Sequence, residues 1–260
     1  MLTTDETPLK SPPLVEAILE MRWELQQGNV PQARVDPHYS LVLGKLHGKI
    51  DAEYPFHERL PIALVPDELS AYKVKHRFRK APHECPLVQI GPGVLTLNET
   101  TSYSTYQTFR PRAESLLEAF LSVYPEIPKF SMLLLRYIDA VDVDFHHESV
   151  WAFMLDKMGV PVDLPDAFFD DTGVRKQPQH FVWETAFPCE APSGTATLRF
   201  ATGERKGTPS LVWEQMLRSE GADVPDMPGG FLDWLDGAHL LTESWFQTLI
   251  DGALRERFNR

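Results

Sequence analysis

The first ordered stretch of the chain alternates. In LVEAILEMRWEL, the apolar residues Val15, Ala17, Leu19, Met21, Trp23 and Leu25 are separated by Glu16, Ile18, Glu20, Arg22 and Glu24. A period of two places every second side chain on the same face, which predicts a half-buried strand. Asp36 followed by Pro37 has the residue types of an N-cap and a first helical position, and the stripe through Leu41, Leu46 and Ile50 predicts a helix after them. A strand over 72–80 comes next. It is followed by a hairpin of LVQIG and GVLTLN that turns at Gly91-Pro92-Gly93. A second helix has Pro111 in its first turn and an apolar stripe through Leu116, Leu117, Phe120 and Val123.

After Pro128 the pattern repeats. MLLLRYIDAVDVDF predicts a strand, and SVWAFMLDKMG a helix stopped by Gly159. A loop rich in proline and aspartate spans 160–179. HFVWETAF, TATLRFAT and SLVWEQML predict three further strands, and a long closing helix begins near Phe231 and runs into GALRERF. Residues 1–130 and 131–260 therefore both read β-α-β-β-β-α, as two domains or one continuous domain. This predicts an α+β fold of tandem halves with mostly antiparallel sheet and helices on one face. The shared order also predicts an internal duplication. Opposite charges favour each other across neighbouring strands. Glu16, Glu20 and Glu24 on the first strand are thus expected beside Lys75, Arg77 and Arg79 on the strand over 72–80.

Composition narrows the class. With 43% hydrophobic residues in 260, the chain can form a core without external staples. Cys85 and Cys189 are far apart and match no zinc or redox spacing, the N-terminus is polar, and no stretch approaches a membrane span. These features predict a cytoplasmic protein without a membrane anchor or cofactor. The net charge of −12 opposes binding to nucleic acid. The charge is also uneven. From Asp139 to Asp171 nine acids face one base, Lys157, whereas Lys73, Lys75, Arg77, Arg79 and Lys80 form a basic stripe.

Four segments, PPLVEAILEMRWEL, LVQIGPGVLTLN, LLLRYIDAVDV and FLDWLDGAHLLTESWFQTLIDGALRERF, occur in this order over nearly the whole chain. Together they resemble a sporadically distributed family of uncharacterised bacterial proteins of roughly this length. The resemblance implies a bacterial, intracellular protein of accessory kind, encoded in a horizontally moved locus such as a phage-defence or toxin–antitoxin module. It transfers no catalytic role to any residue.

Candidate chemistry is sparse. His146-His147-Glu148 lacks zincin spacing and reads as a strand end capping the next helix through Glu148 or Ser149. His83-Glu84-Cys85 lies in a proline-bounded loop. Gly91–Gly93 and Gly203–Thr208 read as hairpin turns, not phosphate loops. No catalytic or metal-ligating residue is assigned. Asp163, Asp166, Phe168, Phe169, Asp170 and Asp171, in the loop over 160–179, combine acids with aromatic anchors and are expected to bind a protein partner with a basic surface, ordering a mobile loop. His239 falls on the flank of the last helix's apolar arc, with Asp236 and Glu243 within a turn. With Arg136 and Trp183 it is a candidate lining for a ligand pocket between sheet and helix. The leading expectation is a non-catalytic interaction or regulatory protein; the alternative is a small-ligand binder or enzyme using that pocket.

Overall fold

The computed structural model describes residues 9–29, 31–100 and 105–260. In chain order the elements of the first half are β1 (Leu14–Trp23), a short ribbon of β2 (Gln26–Gln27) and β3 (Arg34–Val35), α1 (Tyr39–Ile50), β4 (Phe56–Arg59), β5 (His76–Arg79), β6 (Leu87–Gly91), β7 (Val94–Glu99) and α2 (Tyr106–Val123). The second half has β8 (Phe130–Asp142), α3 (Val150–Met158), β9 (Val182–Glu190), β10 (Ser193–Arg205), β11 (Thr208–Glu220), α4 (Phe231–Ile250) and α5 (Ala253–Phe258). The fold is α+β. Nine strands make one antiparallel sheet in the order β4-β5-β6-β7-β1-β8-β11-β10-β9. Outward from the central pair, the last strand of each half returns beside its first: β7 lies against β1, and β11 against β8.

The alternating pattern of β1 is realised as written. Ala17, Leu19, Met21 and Trp23 are at most 1% exposed and face the helices. Their partners on β8 include Leu133, Leu135 and Tyr137, which supply the same core. α1 buries Tyr39, Val42, Leu46 and Ile50, whereas Leu41 is exposed on its outer side. A second apolar cluster lies under α3 and the end of α4, around Phe153, Phe200 and Trp213.

Several local expectations are corrected. β5 is three strands away from β1, with β6 and β7 between them, so the acids of β1 do not face the basic stripe. Glu16 instead accepts from Asn98 Nδ2 at 2.8 Å, and Glu24 pairs with Lys129. Arg77 and Arg79 both approach Glu58 of β4, a four-residue strand too short and irregular to show in the pattern. Tight hairpin connections placed the strands where sequence neighbours could pair, and this outweighed the few tenths of a kcal/mol that a cross-strand ion pair offers. Asp36 is not the N-cap of α1, which is His38. It is buried and accepts from Trp23 Nε1 and Tyr124 OH, both at 2.9 Å, tying β1 to the end of α2. Pro111 lies in the second turn of α2, not the first. The closing helix breaks at Gly252, whose φ of +90° glycine tolerates readily, and α5 restarts beyond it.

Candidate functional site

α3 begins at Ser149, whose hydroxyl accepts from Trp151 N at 3.2 Å, and ends at Gly159 in a left-handed cap. Its inner face, with Val150, Phe153, Met154 and Met158, is buried in the second core cluster. The outer face is also partly apolar. Trp151 is half-buried, Ala152 is exposed, and Leu155 is 54% exposed. Against this outer face runs the start of the loop over 160–179. Trp151, Ala152, Leu155, Pro161 and Val162 together line an open groove of about 450 Å³. Asp163, Lys176 and Gln177 stand at its rim.

One lysine organises the loop. Lys176 donates to Asp166 at 2.8 Å and lies 3.4 Å from Asp163, while its backbone carbonyl accepts from Trp151 Nε1 at 3.0 Å. These contacts fold residues 163–176 back on α3, with a single 3₁₀ turn at Asp166–Phe168. The hydrogen bond to Lys176 holds the Asp166 carboxyl below its usual pKa. Asp156, Asp170 and Asp171 are exposed with no cation paired to them among the described residues. Phe168 is 64% exposed and Leu164 44%, whereas Phe169 is half-buried. All six loop residues singled out from the sequence thus lie on one short exposed segment, though Asp163 and Asp166 are engaged with Lys176. The acidic excess of this region is also smaller at the surface than in the sequence. Asp139 is buried, and Asp142 pairs with Arg205 at 3.0 Å. Asp144 caps a turn at His146 and meets His147 Nδ1 at 2.8 Å, which is where the His146-His147-Glu148 segment is used.

The pocket trio is not assembled. His239 on α4 faces the sheet between two tyrosines. It stacks on Tyr106 of α2 with ring centroids 3.7 Å apart, and its Nδ1 is 3.1 Å from Tyr137 OH on β8. Arg136 precedes Tyr137 on β8 and therefore projects from the opposite, helix-free face, where it pairs with Glu214 of β11. Glu214 also receives Arg199 at 2.7 Å. Trp183 on β9 packs on Phe200 in the second cluster. Strand alternation alone separates Arg136 from His239; a three-residue grouping by type cannot see it.

Most polar groups around His239 satisfy one another. Asp236 accepts from Tyr106 OH at 2.6 Å and from Arg110 through Nε at 2.7 Å and Nη2 at 3.0 Å. Burial works to raise the Asp236 pKa, but the hydrogen bonds from Arg110 and Tyr106 outweigh it and hold the carboxyl below its ordinary value. Burial also depresses His239 to about 4, against a weaker opposing pull from Asp236, so the imidazole is neutral at pH 7. Next to it, Asp139 is 2% exposed and its Oδ2 has no hydrogen-bond partner. Burial, reinforced by Glu243 on α4, pushes its pKa well above the usual range. Beside it on β11, Gln215 bridges Thr242 O and Phe246 N, the two ends of one α4 rung, once its amide is oriented to satisfy both. The sequence reading counted Asp139 in the acidic segment; only its inward position on β8, level with Trp213 of β11, marks it as buried.

Among the described residues, no three His, Cys, Asp or Glu side chains converge in an arrangement suited to a metal ion, and no helix is long and apolar enough to cross a membrane. Compared with models of known families and with curated proteins, the chain matches none of them.

Proposed function

We propose that this chain is a non-catalytic binding protein that docks a partner of basic surface on the outer face of α3 and the loop over 160–179. One observation carries the reading. An apolar groove on α3 has the exposed Leu155 in its lining, and the loop that forms its other wall at Pro161 and Val162 goes on to expose Leu164, Phe168, Asp170 and Asp171, the two acids with no cation paired to them among the described residues. Docking surfaces combine an apolar centre with a charged rim in this way, the centre supplying affinity and the rim the encounter rate. Bacterial origin, a cytoplasmic setting in an accessory locus and descent by internal duplication belong to the same proposal. The last is favoured by the matching order β1-β7-β6-β5 and β8-β11-β10-β9.

The alternative reading, a small-ligand pocket under α4, has less support. His239, Asp236, Arg110 and Tyr106 are occupied with one another, and Arg136 and Trp183 point elsewhere. The test is affinity capture from the native host followed by binding kinetics at two ionic strengths. Asp170→Asn/Asp171→Asn should slow association at least threefold at low salt and flatten its salt dependence. Unchanged kinetics of the double variant on its captured partner would sink the reading.

A further inference from the structure

The large sheet ends in two unlike edges. β4 at one edge has four residues, whereas β9 at the other has nine. A short edge strand resists pairing with another chain, and a long one invites it. The register on β10 fixes which backbone groups of β9 are free. Thr202 N donates to Phe181 O at 3.0 Å, so Phe181 turns its backbone groups towards β10. The pairing then runs without a bulge from Ala201–Val182 to Ser193–Glu190. Backbone direction alternates along an antiparallel strand, so Val182, Glu184, Ala186 and Glu190 aim their N–H and C=O groups away from the sheet. Among the described residues, none of these outward groups has a hydrogen-bond partner.

The side chains of β9 are divided by the same alternation. Trp183, Thr185 and Phe187 lie on the helix side. Trp183 packs on Phe200, and Phe187 meets Trp245 of α4 edge-on, with ring centroids 6.1 Å apart. Even so, Phe187 is 45% exposed, and Val182 at the start of the strand 47%. Glu184 projects from the helix-free face, where it lies 3.6 Å from Arg199. Its charge is thereby drawn back over the sheet and away from the open edge.

We propose that β9 of one copy pairs antiparallel with β9 of a second copy about a twofold axis through Thr185, joining the two sheets edge to edge. Free donors and acceptors at strand spacing fit another strand, and β9 is complementary to its own reversed sequence. About Thr185, Glu184 and Ala186 of one copy exchange both backbone bonds with Ala186 and Glu184 of the other. Val182 N–H donates to Pro188 O, so the donor that proline lacks falls at the end of the ladder. On the helix side, Trp183 of each copy stands opposite Phe187 of the other, and the two Thr185 face each other. These are the non-hydrogen-bonded positions, where side chains come closest. Aromatic and threonine pairs are favourable there, and no carboxylate opposes another. An axis through Glu184 would set two carboxylates face to face. An axis through Ala186 would exchange the aromatic pairs for Trp183–Cys189 and Thr185–Phe187. The interface is isologous, so association closes at two copies. The net charge of −12 repels copies at long range but is screened beyond about 8 Å at physiological ionic strength, so the dimer tightens as salt rises.

The experiment is light scattering coupled to size exclusion on the purified full chain, from micromolar to submillimolar concentration at physiological salt. Wild type should rise to the mass of two copies and stop there. Ala186→Pro removes an outward N–H and leaves the ladder to β10 intact. It should weaken the dimer roughly tenfold with unchanged circular dichroism. Thr185→Lys and Thr185→Glu each set like charges on the twofold axis, and each alone should weaken association roughly tenfold. Mixed together, the two bring opposite charges to the axis and should pair one to one. This exchange reads the register by itself, whether or not Ala186→Pro disturbs the strand. A wild-type chain that stays monomeric or grows beyond two copies overturns the proposal. So does a Thr185 mixture that fails to pair, or a dimer indifferent to the Thr185 variants. A monomeric wild type whose β9 edge takes up an extended host segment would assign the edge to another protein's strand and overturn self-pairing. Asp170→Asn/Asp171→Asn, which tests the groove on α3, should leave the dimer unchanged, so the two readings fail separately.

Discussion

Around His239, groups withdrawn from water are largely answered by other groups of the chain: Asp236 by Arg110 and Tyr106, His239 by Tyr137 and the Tyr106 ring. On the outer face of α3 the reverse holds. Leu155, Leu164 and Phe168 remain in water, and Asp156, Asp170 and Asp171 have no cation beside them among the described residues. The first arrangement joins α2, α4 and β8 and contributes to stability. The second contributes little to stability and leaves its apolar area available for association. Polar residues near a helix are thus poor guides to function by type; whether their partners lie inside the molecule separates the two cases.

The largest effect expected from this contrast is on folding. His239→Ala removes a stacked ring and the partner of Tyr137 OH, and should lower unfolding stability by about 3 kcal/mol in urea titration at pH 7. Capture of a partner by the folded fraction should be unchanged. A loss of binding without a loss of stability would reverse the assignment of the two regions.

The pH dependence comes next. Above 6.5, His239 is neutral in both the folded and the unfolded chain. As pH falls from 6.5 towards its folded value of about 4, the unfolded chain takes up the proton first, so the stability it contributes is progressively lost. His76, also depressed to about 4 chiefly by burial, adds in the same direction, discounted for its partial exposure. Together they should lower stability by about 3 kcal/mol over that window, most of it from His239, measured as the shift in urea midpoint with pH. His239→Gln should remove most of the slope. A wild-type chain equally stable at both ends of the window would show that the imidazole is not buried as described.

Asp139 departs from the rule of internal pairing around His239, and it sharpens the comparison. With its folded pKa raised, its contribution is full below 3.8 and declines as pH rises above that value. Asp139→Asn keeps the shape and removes the charge, so it should stabilise the chain by about 1–2 kcal/mol at pH 7 and by almost nothing near pH 4. Thermal melts of both proteins at the two pH values check the sign. The smallest effect is expected at the loop. Asp170→Asn/Asp171→Asn should change stability by less than about 0.5 kcal/mol, because exposed, unpaired acids contribute little to the folded state.

Much of the element order was legible because it follows from local periods. The alternation of β1, the glycine turn between β6 and β7, Ser149 and Gly159 at the ends of α3, and the long α4 are each written within a few residues of where they act. β4 was not legible, since four residues of mixed type carry no period. The acidic loop was found by composition, but the groove beside it was not, because Trp151 and Leu155 read as one more helical stripe until α3 is packed and its outer side is known.

The sequence by itself determined the α+β class, the placement of acids and bases in separate segments, and the apolar anchors within the acidic one, because composition and short-range periodicity need no distant partner. Only the tertiary structure decided that β1 lies against β7 and β8 and away from β5, that Asp139 leaves the acidic surface for the core while Asp170 stays on it, and that Arg136 and His239 stand on opposite sides of the sheet. Each of these depends on which strand neighbours which and on which way a residue points from its strand. A shift of one position reverses the face, and that register is set by the packing of the whole sheet against its helices.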